Sequence, residues 1–221
     1  MKSVLVTGGT VRLGAAIAAR LRAEGWRVIT SSHRADAGSD IVADLAEPMG
    51  AAKLYAAALQ LLGGMPPDAL VNNAALFTGD AAAITAVNLE APKKLTVMMA
   101  GREAGVGAVV NILDAKVDLP VSDKRRDAAS PLASGYLSSQ RELGAFTLSA
   151  AATFAATLRV NGVAPGPVMA PTDVHEQAGE MLLDRRPTAD DVAAAVSFLL
   201  GAEATTGTII PVDAGQNLLQ A

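Results

Sequence analysis

Ser3-Val4-Leu5-Val6-Thr7-Gly8-Gly9-Thr10-Val11-Arg12-Leu13-Gly14 opens the chain and decides its fold. A short apolar run, Ser3 to Val6, reads as a buried strand, and Ala15 to Ala23 continues in a helical pattern directly after the glycines. Strand, glycine-rich turn and helix N-terminus in that order form a phosphate cradle. Glycine lets the backbone approach an anion closely, and the helix end presents N–H groups that have no partner within the helix. A glycine-rich turn alone is weak evidence, but the flanking strand and helix are the context that gives it meaning. Arg12 stands where dinucleotide fingerprints commonly carry glycine, and it adds a permanent charge with a planar fork of donors at the mouth of the turn.

Apolar runs recur down the chain with helical segments between them, the alternation of a parallel sheet covered on both faces. Strands are expected at Ser3 to Val6, Arg27 to Ser31, Ala69 to Asn72, Ala108 to Ile112, Leu158 to Val163 and Thr208 to Val212. Helices are expected at Leu13 to Ala23, Ala51 to Leu62, Ala81 to Gly101, Gly135 to Ala155 and Ala189 to Leu200. Thr188 is the expected N-cap of the last helix, with Asp190 and Asp191 in its first turn, where the helix dipole favours negative charge. The fold class is therefore α/β, a doubly wound Rossmann-type parallel sheet with helices on both faces, in a single domain over residues 1–221. Two irregular segments follow strands at the expected ligand edge of the sheet. Val117 to Leu132 is rich in charge, proline and serine and reads as an exposed loop. Pro165 to Arg186 carries a weak helix signal around Val174 to Leu183 and reads as a substrate-loop region.

Composition narrows the partners. The chain has 221 residues, 51% of them hydrophobic and only 3% aromatic, which fits helices packed closely on a sheet. Its formal net charge is −4, and no lysine- or arginine-rich block points to nucleic acid. With no cysteine, disulfides, thiolate catalysis and thiolate-bound metals are excluded. His33 and His175 stand apart from any ligand-spaced cluster, so no metal is expected. No signal-like segment and no apolar run of membrane-spanning length is found, so the expectation is a soluble cytoplasmic protein.

The chemistry-bearing residues lie at strand ends. After the second strand come Ser31-Ser32-His33-Arg34. An acid at this edge would accept from an adenosine ribose, whereas arginine accommodates a 2'-phosphate, so NADP(H) is the expected cofactor. Asp44, ahead of Leu45, is placed to reach the adenine amino group. Asn72-Asn73-Ala74-Ala75 closes the third expected strand, where a nicotinamide nucleotide would cross the sheet. Asn88 sits inside a helix, where asparagine needs a reason to be present, and fixing that helix against the site supplies one. Asp114 follows the fourth apolar strand, and Tyr136 begins a long helix. A phenol can deliver a proton to an atom receiving hydride, and a nearby carboxylate can order the substrate or join in the relay.

These residues together resemble the short-chain dehydrogenase/reductase superfamily over nearly the full length. The resemblance rests on Gly8 to Gly14, Asn72 to Ala75, Asn88, Tyr136, Arg159-Val160-Asn161, Pro165-Gly166 and Val212-Asp213-Ala214-Gly215. Within it the chain is most similar to pteridine reductases, through arginine and leucine before the last glycine of the turn, His33-Arg34, Phe77 four residues beyond Asn73, and Asp114 where most relatives have a catalytic serine. The resemblance implies Tyr136 and Asp114 as catalytic residues and a pterin-like substrate held by Arg12, Phe77, Asp114 and Tyr136. It implies a cofactor held by Gly8, Arg12, Leu13, Gly14, His33, Arg34, Asp44, Leu45, Asn73, Ala74, Ala75, Asn88, Tyr136, Gln140, Pro165, Gly166 and Val168. It also implies a homotetramer packed through the Asn88 and Tyr136 helices.

One position departs from the family motif Tyr-x-x-x-Lys, which here reads Tyr136-Leu137-Ser138-Ser139-Gln140. Glutamine can hydrogen-bond a ribose hydroxyl but supplies no charge beside the phenol. Lys116, Lys124 and Arg141 are candidates to replace it. Enoyl reductases with lysine seven residues after the tyrosine fit less well, since that position is Leu143. The expected activity is NADPH-dependent reduction of a dihydropteridine or dihydrofolate type of ring. The alternatives are reduction of a different carbonyl substrate and a catalytically silent NADP- or pterin-binding protein.

Overall fold

Alternation of small and branched apolar residues builds a sheet buried on both faces. In β1 (Ser3–Thr7), Val4 and Val6 face one helical layer and Leu5 the other. The same split places Ala69 and Val71 opposite Leu70 in β4 (Ala69–Asn72), and Ala108 and Val110 opposite Val109 in β5 (Gly107–Ile112). Two-sided burial of this kind requires helices on both faces, hence parallel strands joined by crossovers.

The computed structural model describes residues 1–103, 105–118, 131–168 and 181–220. The remaining elements are α1 (Arg12–Ala23), β2 (Arg27–Ser32), β3 (Ile41–Val42), α2 (Gly50–Leu61), α3 (Ala81–Thr85), α4 (Ala91–Ala100), α5 (Pro131–Thr153), β6 (Leu158–Pro165), α6 (Ala189–Gly201) and β7 (Ile209–Val212). Seven strands, all parallel, follow the order β3-β2-β1-β4-β5-β6-β7. Ile17 and Leu21 of α1 pack with Val192, Val196 and Leu199 of α6 on one face. Leu54 of α2, Leu95 and Met99 of α4, and Ala150 of α5 cover the other. The strand order reverses between β1 and β4, so the crevice outside their carboxyl ends is the ligand position in such a sheet.

The structure departs from the sequence reading at five places. A seventh strand, β3, is only two residues long and too short for its periodicity to register. The expected helix Ala81 to Gly101 is interrupted by a π-turn at Ala86–Glu90, which carries Asn88. α5 starts at Pro131, so the expected loop gives way to helix there, because proline is well tolerated in a helix's first turn. Ala115–Asp118 form a 3₁₀ turn, and the rest of that loop, 119–130, lies outside the described residues. Of the weak helix expected at Val174 to Leu183, residues 174–180 lie outside the described residues, and Met181 to Leu183 are not helical. Backbone N–H groups of Leu182 and Leu183 instead donate to the Ala214 carbonyl, which draws this stretch onto the chain after β7.

The last helix is capped as its sequence requires. Thr188 Oγ1 accepts from Asp191 N–H, and the Asp191 carboxylate accepts from Thr188 N–H, a reciprocal capping box. No described helix is long and apolar enough to cross a membrane.

Candidate active site

The glycine turn is held closed by its neighbours. Thr7 Oγ1, 2% exposed, accepts from Asn73 N–H at 2.9 Å and Ala74 N–H at 3.0 Å. Asn73 Nδ2 donates back to the carbonyls of Thr7 at 2.9 Å and Gly8 at 3.1 Å. The ends of β1 and β4 are thereby clipped together at the switch point, and Ala74 and Ala75 continue from the clip half-buried. Gly9 N–H donates to the Ser31 carbonyl at 3.2 Å and fixes the turn to β2. A Cβ at Gly14 would lie 2.1 Å from the Gly8 carbonyl oxygen, so the turn closes on the helix only because Gly14 has no side chain.

α1 begins with Arg12 at φ +49°, and its N-cap, Val11, supplies no capping hydrogen bond. The left-handed conformation costs a non-glycine residue roughly 1 kcal/mol, an outlay that gains purpose if Arg12 must face a ligand. The first-turn N–H groups and the close-packed glycines form a cradle that could hold an anionic group, with Gly8, Arg12, Leu13 and Gly14 at its rim.

At the neighbouring edge, Arg34 Nε and Nη2 donate to the two carboxylate oxygens of Asp36 at 3.0 and 2.7 Å. Both side chains are exposed, and the pair holds the Asp36 carboxyl below its usual range. The expected partner of Arg34, a 2'-phosphate, would therefore share the guanidinium with this carboxylate. His33 precedes it, exposed. Asp40 Oδ2 accepts from Thr30 N–H and Oγ1–H at 2.7 and 2.8 Å, which braces the strand under the turn. Asp44 Oδ1 accepts from Ala46 N–H at 2.9 Å and stays exposed. Leu45 is 8% exposed and its side chain belongs to the core, which leaves its backbone for any ligand contact.

The reaction groups come together beyond β4 and β5. Tyr136 Oη donates to Asp114 Oδ2 at 3.2 Å, across 22 residues of chain. Asp114 Oδ1 also accepts from Lys116 N–H at 2.8 Å, a turn interaction that orients the carboxylate. The Phe77 and Tyr136 rings lie 4.8 Å apart between centroids with a 34° tilt, and Phe77 is 62% exposed. Asn88, 1% exposed, grips the loop leading from β4 to Phe77 with both ends of its amide. Its Oδ1 accepts from Leu76 N–H at 2.8 Å, while Nδ2 donates to the Leu76 carbonyl at 2.9 Å and to Ser139 Oγ at 3.3 Å. Ser139 Oγ in turn donates to the Tyr136 carbonyl at 2.7 Å, which ties the π-turn to the tyrosine's helix.

Gln140 is 2% exposed, and its Oε1 has no hydrogen-bond partner among the described residues. A buried carbonyl oxygen without a donor is costly, and a ribose hydroxyl would satisfy it. Arg141 follows on α5 with a buried Nη2, and Lys116 is exposed beside Asp114. Lys124 and His175 lie outside the described residues. Leu143 is packed with Leu89, Leu113 and Ala164, a core position rather than a polar one.

Pro165 and Gly166 leave β6 against the chain after β7. Gly166 N–H donates to the Val212 carbonyl, and a Cβ at Gly166 would lie 2.7 Å from Asp213 Cβ. Asp213, 4% exposed, accepts from Gly215 and Asn217 N–H groups, so this wall is rigidly built, with Val168 half-buried beside it.

The supporting roles of Thr7, Thr30, Asp40, Asn111, Ser139, Thr147 and Asp213 are not read from the sequence, although Thr7, Ser139 and Asp213 fall within motifs quoted from it. Asn72 Nδ2 donates to Asn111 Oδ1, and Asn111 Nδ2 to Thr147 Oγ1, each at 2.8 Å, which pins α5 to the sheet centre. Asn111 in an apolar strand was the available signal, since a buried amide demands partners. A separate cleft at the amino edge of the sheet is lined by Lys2, Trp26, Asp68 and Arg159. There Asp68 receives Ser3, and Arg159 donates to the Leu199, Leu200 and Thr205 carbonyls, so its polar groups support the fold. Among the described residues no cluster of His, Cys, Asp or Glu is arranged to hold a metal ion.

Comparison with known proteins agrees with this geometry. The family model described as enoyl-(acyl carrier protein) reductase matches residues 11–217. A granaticin polyketide synthase putative ketoacyl reductase of Streptomyces violaceoruber is 31% identical, across 97% of this chain and 96% of its own. Among solved structures, the 3-alpha-hydroxysteroid dehydrogenase of Pseudomonas sp. B-0831, complexed with NADH, superposes with a TM-score of 0.83 at 25% identity, over 99% of this chain and 98% of its own. FolM alternative dihydrofolate reductase 1 of Brucella canis, complexed with NADP, gives 0.81 at 30% identity, over 98% and 94%. These relatives are spread over different substrates, so the expectation of a special kinship with pteridine reductases narrows to the superfamily as a whole. With a nicotinamide cofactor bound in both of these solved structures, and the glycine turn, Asn73 clip and Tyr136 in place here, the chain belongs to the short-chain dehydrogenase/reductase superfamily of NAD(P)-dependent oxidoreductases.

Proposed function

We propose that this protein is an NADPH-dependent reductase of a small carbonyl compound. The observation that carries the reading is the Tyr136 hydroxyl, held 3.2 Å from Asp114 Oδ2 at the ligand edge of the sheet. A bound nicotinamide supplies hydride to the carbonyl carbon. The Tyr136 hydroxyl turns from Asp114 to the substrate oxygen and gives it a proton, with Asp114 fixing the hydroxyl's direction beforehand. Gly8, Leu13, Gly14, Asn73, Ala74 and Ala75 hold the cofactor's diphosphate side and Gln140 its nicotinamide ribose. Asn88 acts by holding the loop that carries Phe77. His33 and Arg34 favour the 2'-phosphate, Asp44 and the Leu45 backbone receive the adenine, and Pro165, Gly166 and Val168 line the carboxamide side.

A second reading, reduction of a pterin-like ring, is favoured by the exposed Phe77 face beside Tyr136. Such a face stacks planar heterocycles, and Arg12 could hold the ring's polar edge. The likeness to an alternative dihydrofolate reductase supports it.

NADPH consumption with a β-ketoacyl thioester, a ketosteroid, a dihydropterin and dihydrofolate distinguishes the two. Turnover of the open carbonyls supports the first reading. Preference for the pteridines, lost about tenfold or more in Phe77→Ala through the missing stacking contact, supports the second. NADPH binding without consumption of any substrate would overturn both in favour of a silent binding protein. We further propose one domain over residues 1–221, with 165–186 contacting substrate, and a homotetramer packed through α4 and α5. Val97 and Leu148 expose apolar surface on these helices, and light scattering measures the assembly.

A further inference from the structure

The geometry points to Asp36 as a specificity-determining residue that narrows the preference for NADPH over NADH. This rests on the reading of the β2 edge as the site of the cofactor's 2' substituent. The arginine fork has five N–H donors. Asp36 takes two of them, Nε–H and one Nη2–H, in a bidentate pair at 3.0 and 2.7 Å. The pairing is local and built in. Ser32 Oγ accepts from Arg34 N–H at 3.1 Å, and Asp36 lies on the 3₁₀ turn Ala35–Ala37 that follows. Three donors of Arg34 remain outside the pair to meet a phosphate.

The charge balance then decides the effect. Of the other ionisable groups between Arg27 and Asp40, Arg27 lies at the far end of β2 and donates to the Leu61 carbonyl. Asp40 is engaged by Thr30. Arg34 and Asp36 stand at the rim, where their opposite charges cancel within the pair, while Asp40 keeps its own negative charge. A 2'-phosphate carrying close to two negative charges gains from Arg34 but is repelled by the adjoining carboxylate. A 2'-hydroxyl carries no charge, so the carboxylate does not repel it and can accept its proton in a hydrogen bond. Asp36 therefore weakens NADPH without weakening NADH and makes the site more even-handed than Arg34 alone would.

Dissociation constants for NADPH and NADH, read from nicotinamide fluorescence without substrate, test this. Asp36→Asn should tighten NADPH about tenfold at low salt, the gain shrinking as salt screens the exposed charges. NADH should not tighten, since it lacks the phosphate that the carboxylate repels. Asp36→Ser, which removes the same charge with a different side chain, should repeat the result. An unchanged ratio of the two constants, or weaker NADPH binding in both variants, overturns the inference. Failure of the unaltered protein to bind either cofactor would instead overturn the reading of the site on which it rests.

Discussion

Replacing Thr7 by valine removes one hydroxyl from a site where three interactions meet, with almost no change in shape. Thr7 Oγ1 accepts from the Asn73 and Ala74 N–H groups and donates to the Val71 carbonyl at 3.4 Å. Thr7→Val leaves two partly buried amide donors facing a methyl group, at about 1–1.5 kcal/mol each, hence about 2–3 kcal/mol in total. For a chain of this size that corresponds to a fall in Tm of roughly 5–10 °C. Thr7→Ser keeps the hydroxyl and loses a buried methyl, about 1 kcal/mol and roughly 2–4 °C. Calorimetry on both variants measures the difference. NADPH titrations should show Thr7→Val binding about tenfold more weakly, because the 73–75 segment is no longer docked on the glycine turn. If Thr7→Val proved as stable as Thr7→Ser and bound NADPH equally well, the clip would not organise the turn and the reasoning would fail.

Tyr136→Phe should lower turnover about 10²- to 10⁴-fold while leaving NADPH binding in place, measured by steady-state rates and fluorescence titration. Gln140→Lys returns a cation beside the phenol. An ammonium about 5 Å away at an effective dielectric near 20 is worth about 3 kcal/mol, so activity should rise, up to about a hundredfold. Burial of the new charge should lower Tm at the same time. Asp191 is held well below the usual carboxylate range, first by Arg185 and then by the Thr188 N–H and hydroxyl. A lowered native pKa contributes stability above the unfolded value near 4 that is lost as pH falls below it. Asp191→Asn should therefore cost roughly 2–4 °C near neutral pH, and its melting curve should converge on that of the unaltered protein in acid.

The strand-turn-helix at the start of the chain was legible because both its periodicities and its glycines are local properties. The same holds for the N-cap at Thr188, whose partner Asp191 lies within the same four residues, 188 to 191. The π-turn around Asn88 was not legible, since its hydrogen-bond register depends on what the side chain grips, and Leu76 lies 12 residues away. Tyr136 and Asp114 could be singled out by type, but their 3.2 Å contact spans 22 residues and exists only once α5 is laid against β5. That docking uses Asn72, Asn111 and Thr147, buried polar residues whose purpose appears only when the strands pair.

The sequence by itself determined the parallel sheet, the cradle for an anion, and the substitution of Gln140 for a cation, because these follow from residue type and short-range spacing. Tertiary structure alone decided that Tyr136 meets Asp114, that Leu45 belongs to the core, and that the Phe77 ring lies beside Tyr136. The physical reason is that burial, hydrogen bonding and ring contact are properties of separations in space. Only the packing of α5 and the strand ends fixes those separations.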